Sequence, residues 1–383
     1  MFYSSNTPSF RLLLLSVRIH EPAKTVKTAE SLICRETVDW ALLLENSKVH
    51  AIRPQLENLL LHMPAGSVPG DVLGVLSQST RENLLRQMRS LAAFFEMKEA
   101  FDKACITVVP FKGPWFAEHY YGNLADRVSY DIDVFIDLKD LEEIKRIMEG
   151  LGYEKRKQIS RLTDDYVKSE LCEYNFEKYD EETQTHHFEF HWSSSRRPFR
   201  MRISLDELRD QITIGRINDR ELPVFSASAE LLLIVMHHGG KEQYACLKQV
   251  ADIAHLLKKE DEIDWPWLIG KIKQYHLETV FYIGVRQANM LTGITIPEVI
   301  KKSCMSASIT RLAGKRIRMT AYPVTKRGDF GFIIHEWLFH IRSRDGVALK
   351  LHLAWYAFRK VLLPAIIPHS LHRFFYNKKI RKP

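Results

Sequence analysis

The feature that most constrains this chain is Asp131-Ile132-Asp133, set in Arg127-Val128-Ser129-Tyr130-Asp131-Ile132-Asp133-Val134-Phe135-Ile136-Asp137. The run is rich in β-branched and aromatic residues, which favours an extended strand. Side chains i and i+2 of a strand share a face, so both carboxylates point one way while Ile132 and Val134 point the other. Two like charges held that close repel each other. A hard divalent cation offsets the cost, because Mg²⁺ takes oxygen ligands, commonly one or two carboxylates plus substrate phosphates. The competing reading is a solvated acidic pair on a strand edge, the commoner outcome for such a tripeptide alone. Lys112-Gly113 upstream, Arg127 just before and Glu189 downstream shift the balance towards a metal site.

A chain of 383 residues can bury a sizeable core in two or three domains, and 45% hydrophobic with 27% charged residues is ordinary globular composition. The 5 cysteines are scattered, with no C-x-x-C pair, so neither a zinc knuckle nor a disulfide framework is indicated. A reduced, cytoplasmic setting fits. The apolar Leu12-Leu13-Leu14-Leu15 run is cut off by Arg18 and His20 and reads as a helix face, and no run is long enough to span a bilayer. The net charge of +8 is matched by Lys350, Arg359, Lys360, Arg373, Lys378, Lys379, Arg381 and Lys382, in a tail without Asp or Glu.

Periodicity divides the chain into an N-terminal helical region (1–103), an α/β unit (104–222), a C-terminal helical domain (223–349) and the basic tail (350–383). Asn83 to Ala104 reads as one amphipathic helix. In the α/β unit, Ile106 to Phe111, Asp131 to Ile136, Tyr153 to Ile159, Glu170 to Tyr179 and Thr185 to Trp192 read as strands. Trp115 to Tyr121 and Leu138 to Gly150 read as helices between them. Past Pro223 the helical period returns over Ala227 to His238, Cys246 to Lys259, Trp265 to Tyr275 and Leu277 to Leu291.

Gly113 lies where a strand gives way to a helix, a junction whose backbone N–H groups can receive a phosphate, and Lys112 adds a charge there. The order and spacing of Phe111-Lys112-Gly113, Arg127 with Asp131-Ile132-Asp133, Gly150-Leu151-Gly152-Tyr153, Phe188-Glu189-Phe190-His191-Trp192 and the helical stretch His237 to Leu257 resemble the uncharacterised nucleotidyltransferase family. That family lies within the DNA polymerase beta-like nucleotidyltransferase superfamily. The resemblance covers about residues 30 to 290. It implies an α+β fold, with a small central mixed β-sheet unit flanked by N- and C-terminal helical regions. It further implies that Asp131 and Asp133 hold Mg²⁺ or Mn²⁺ and that Glu189 completes the metal cluster and helps deprotonate the attacking hydroxyl. The chain departs from the family pattern where Pro114 replaces the serine after the strand-ending glycine, so that Lys112 stands in for the serine's phosphate contact.

The implied activity is Mg²⁺-dependent transfer of a nucleoside monophosphate from an NTP to an acceptor hydroxyl or phosphate. The acceptor is a sugar, a peptide, a protein side chain or a nucleic acid. Phosphoryl transfer on the same fold and a non-catalytic binding module are the alternatives. Lys112, Gly113, Arg127, His238 and Lys248 are the candidate nucleotide contacts, with a structural ion pair as the competing role for Arg127 and core or capping roles for His238 and Lys248. His187, Glu189 and His191 share one strand face, which admits a zinc site, but His191 as an orienter of the acid cluster is favoured. The tail mixes its cations with Phe358, Leu362, Leu363, Ile366, Ile367, Phe374 and Phe375, a pattern suited to a membrane surface, here the inner one, or to another anionic partner.

Overall fold

The computed structural model describes residues 7–156, 164–180, 183–195, 199–320 and 330–358. Four helices, α1 (Pro8–Ser16), α2 (Pro22–Arg35), α3 (Trp40–Val49) and α4 (Arg53–Leu60), precede the long α5 (Gly70–Lys103). Helix α5 starts well before Asn83. Gly70 and Gly74 lower its local propensity, but Val72 and Leu76 bury in the helical core and override them. The other half of α5 changes partners, and Leu91, Phe94 and Phe101 pack in a second core beneath the sheet.

The sheet holds β1 (Val109–Pro110), β2 (Ile132–Phe135), β3 (Glu154–Lys155), β4 (Glu173–Asp180) and β5 (Thr183–His191) in the order β1-β2-β5-β4-β3. Only β2 and β5 run parallel. The fold is therefore α+β, with a mixed sheet between helical flanks. Asp133 pairs with Glu189 across β2 and β5, and Glu189 pairs with Asn175 across β5 and β4. Alternation from those pairs gives the sheet two unlike faces. Ile132, Val134, Tyr174, Phe176, Phe188 and Phe190 form the apolar face against α5 and α7 (Leu141–Gly150). Asp131, Asp133, Glu173, Asn175, His187, Glu189 and His191 fall on the opposite face.

Four strands are shorter than their sequence pattern, with β1 and β2 trimmed at both ends. The third covers Glu154–Lys155, and residues 157–159 of its expected range lie outside the described residues. The fourth begins at Glu173 because the residues before it form α8 (Asp164–Glu170). The sequence reading also missed a hairpin, β6 (Ile212–Ile217) and β7 (Arg220–Phe225). Its turn residues Asn218 and Asp219 have φ of 47° and 60°, the double left-handed turn that suits a two-residue hairpin. The boundary expected at residue 223 falls inside β7.

Helices α9 (Ala227–Ile234) and α10 (Leu247–Leu257) follow, joined through a π-helical turn over Val235–Lys241. Helix α9 is buried all round, including Glu230. The chain continues through α11 (Trp265–Gln274), α12 (Glu278–Thr292), α13 (Glu298–Cys304), α14 (Ala307–Thr320), α15 (Phe330–Ser343) and α16 (Val347–Ala357). Among the described residues no helix is long and apolar enough to cross a membrane. The basic tail from residue 359 onward lies outside the described residues.

Candidate active site

The site begins with how Lys112 is held. The backbone N–H of Phe111 donates to the Asp133 carbonyl at 2.9 Å, tying the chain before Lys112 to β2. Lys112 then adopts φ 67°, ψ −142°, close to a region populated almost only by glycine. A side chain in such a conformation costs about 1–3 kcal/mol, and such residues cluster at functional sites. Gly113 follows at φ 59°, a conformation glycine takes freely, and opens the short helix α6 (Gly113–Phe116). This bend lays the Lys112 ammonium 3.1 Å from Asp133 Oδ1, with the two side chains 8% and 6% exposed.

The β2–β5 register brings the expected acids together. Ligand atoms of Glu189, Asp133 and His191 lie within 4.8 Å of one another, as do those of Glu189, Asp131 and His187. Glu189 therefore belongs to both groups and sits between the two aspartates. Asp131 is the open end, with its side chain 42% exposed against 16% for Glu189. Asn175 donates to Glu189 Oε1 at 3.1 Å. His191 Nε2 lies 3.0 Å from Asp133 Oδ1 and its Nδ1 lies 3.5 Å from Glu173 Oε2. His187 Nδ1 lies 2.9 Å from Asp131 Oδ1.

These contacts set the charges. Burial pushes the Asp133 carboxyl up, but Lys112 and the His191 hydrogen bond outweigh it and hold the group well below the usual range. Burial opposes the charge on His191, yet its bonds to Asp133, Cys172 and Glu189 and the charge of Glu173 raise it well above an ordinary histidine. His187 is raised too, with its Asp131 bond outweighing burial. These contacts favour the protonated form of His191, which reaches Asp133 through Nε2 and Glu173 through Nδ1.

A second polar cluster fixes the loop that delivers Asp131. Arg127 donates to Asp252 through Nε at 2.8 Å and Nη2 at 2.9 Å. His238 Nε2 and the Tyr121 hydroxyl contact the same carboxylate, each at 2.8 Å. Lys248 donates to the Val128 carbonyl at 3.2 Å. From the other side α5 donates through Asn83 to the carbonyls of Ala125 and Arg127 and through Gln87 to that of Ser129. Arg127 therefore braces a carboxylate. Its bonded nitrogens, Lys248 and the Nε2 side of His238 are committed to buried protein partners.

Sequence reasoning passed over several site residues. Glu173 and Asn175 share the acid face by strand alternation, and the β4–β5 register sets them opposite His191 and Glu189. Lys241, 3.7 Å from Glu173, and Glu242 reach the site only through the π-turn. Burial and the nearby Lys112 and Lys241 push His237 well down, so it is neutral. Burial pushes Glu242 up, but the close approach of His238, with the charges of Lys112 and Lys241, brings it to about 2. Glu230, fully buried in α9, is pushed up by burial to about 8 against the pull of Arg127, Trp115 and Lys112.

A model described as an uncharacterised nucleotidyltransferase matches residues 36–293, about two thirds of the chain and every element that builds the site. The chain belongs to this uncharacterised nucleotidyltransferase family. No curated protein matches it. Among solved structures it is similar to the lincosamide antibiotic adenylyltransferase LnuA in its lincomycin-bound form, at 17% identity, over 43% of this chain and 94% of that one, with a TM-score of 0.29. A score that low carries no argument about substrate.

Proposed function

We propose that this family member transfers a nucleoside monophosphate from an NTP to an acceptor hydroxyl or phosphate, releasing pyrophosphate, and that Asp131, Asp133 and Glu189 are its catalytic residues. The observation that carries the proposal is the pairing of Asp133 with Glu189 on parallel strands, with Asp131 on the same face. The donor set is right for Mg²⁺ or Mn²⁺, because the three side chains offer only carboxylate oxygens from a rigid sheet. Asp131, Asp133 and Glu189 would hold such ions, whose chemistry is to neutralise charge on the attacking and leaving oxygens of an in-line displacement.

The chain's own groups do the rest. Glu189 is partly exposed between the aspartates and accepts the proton of the acceptor hydroxyl. His191 and Asn175 hold Asp133 and Glu189 in place. Lys112, together with the Gly113 amide at the helix start, receives the phosphates. Arg127, His238 and Lys248 act on the nucleotide through the loop they pin. We further propose that the helical region before α5, the α/β unit and the helices after β7 are the working divisions of the chain.

The test uses ATP labelled at the α or the γ phosphate, with extracts fractionated for an acceptor. Label transferred from the α position alone, abolished by Glu189→Gln with the fold intact, is the expected result. Label transferred from the γ position would make the protein a kinase. No nucleotide binding in calorimetry with Mg²⁺ would make it a binding module.

A further inference from the structure

The π-turn between α9 and α10 carries a cluster of donors outside the acidic trio. His237 Nδ1 and His238 Nδ1 face each other at 3.2 Å. Glu242 Oε2 lies 3.5 Å from the first and 3.8 Å from the second. The two carboxylate separations are too long for hydrogen bonds. They are close to the edge of a tetrahedron around zinc, which is about 3.3–3.6 Å for metal–ligand bonds of about 2.0–2.2 Å.

The supporting shell is already in place. His238 turns its other nitrogen, Nε2, to Asp252 Oδ2 at 2.8 Å, the carboxylate contact that orients metal-bound imidazoles. Asp252 is itself fixed by Arg127 and Tyr121. Glu242 accepts a hydrogen bond from Gln249, which holds its carboxylate in the turn. Gly239 and Gly240 let the turn close, since a Cβ on the first would strike the Tyr244 ring and one on the second the Met201 side chain. The adjacent cations do not stand unopposed: Lys112 pairs with Asp133 and Lys241 faces Glu173 at 3.7 Å.

The histidines on the sheet differ in kind. His191 and His187 approach Asp133 and Asp131 at 3.0 and 2.9 Å, as hydrogen-bonded neighbours of carboxylates. They spend on those bonds the nitrogens a metal would need. His237 has no such carboxylate bond.

We propose that His237, His238 and Glu242 form a zinc site with one coordination position left for an oxygen donor. Two imidazole nitrogens and one carboxylate suit Zn²⁺, whereas the all-oxygen trio suits Mg²⁺. The site does not depend on the nucleotidyl-transfer reading. It adds a fixed dication beside Lys112, since the His237 ring lies 6.3 Å from that of Phe111.

The test is metal analysis of the full-length protein after loading with Zn²⁺ and dialysis, together with the visible absorption of the Co²⁺-substituted form. One equivalent of Zn²⁺ and four-coordinate Co²⁺ bands are expected in the wild type and in Asp133→Asn. Glu242→Gln and His237→Gln should each weaken binding at least a hundredfold, with circular dichroism confirming the fold. If His237→Gln does not fold, the near-isosteric Glu242→Gln decides. Three results would overturn the assignment: no retained Zn²⁺ in the wild type, Co²⁺ bands that survive Glu242→Gln, or bands lost in Asp133→Asn. The last would place the ion in the acidic trio.

Discussion

Lys112 lies against Asp133, one of the proposed cation ligands, so removing its charge should change metal binding and stability in opposite directions. At 3.1 Å the pair is worth about 5 kcal/mol of Coulomb attraction at an effective dielectric near 20. Desolvation of the ammonium cancels part of that, and breaking a buried pair typically costs 3–5 kcal/mol. His191 remains on Asp133 and softens the loss, which points to about 3 kcal/mol for Lys112→Met in the presence of chelator. The same competition operates when Mn²⁺ binds, because the ion no longer has to displace the ammonium. At about 1.4 kcal/mol per tenfold, the variant should bind Mn²⁺ roughly a hundredfold more tightly in the absence of nucleotide. Free Mn²⁺ measured by electron paramagnetic resonance gives the affinity. Urea unfolding with and without Mn²⁺ gives the stability, and the deficit should close when the ion saturates. Lys112→Gly removes the same charge but relaxes the backbone, so it should be about 1–2 kcal/mol more stable than Lys112→Met. Unchanged or weaker Mn²⁺ binding in Lys112→Met would refute the reasoning.

Other consequences follow from the same contacts. Arg127→Met leaves Asp252 buried against only His238 and the Tyr121 hydroxyl and should cost about 3–5 kcal/mol in urea unfolding, while Asp252→Asn in the same background should recover part of it. Glu230 has a folded pKa of about 8, above its unfolded value, so its contribution is fully present below about pH 4.5 and is lost as pH rises through 8. Glu230→Gln should therefore flatten the fall in stability between pH 6 and 8.5 by roughly a few kcal/mol, and an unchanged slope would count against a protonated Glu230. Helix α16 exposes Val347, Leu351 and Trp355 along one stripe just before the cationic tail, so the full chain should sediment with anionic vesicles. Trp355→Glu should abolish that, and equal binding to neutral vesicles would show that charge plays no part.

Much of the site could be read along single strands. That Asp131 shares a face with Asp133, and His187 with Glu189 and His191, needs only the two-residue period of a strand. The positions of Lys112 and Gly113 follow from a strand giving way to a helix. The place of Glu173 was not legible because it rests on the β4–β5 register, which sets it opposite His191. The π-turn that carries His237, Lys241 and Glu242 was read as a plain helix end, since its two glycines give no sign of the close approach of Tyr244 and Met201.

By itself the sequence determined which side chains each strand and helix offers, because those periods arise within a few residues. Only the tertiary structure decided who meets whom. Asp133 stands beside Glu189 because the apolar reverse faces of β2 and β5 pack in one register on α5 and α7, and a slip of one residue would turn the acids into that core. Arg127 found Asp252 across 125 residues of chain, a partnership with no local signature. Long-range pairing depends on the packing of whole elements, which no stretch of a few residues encodes.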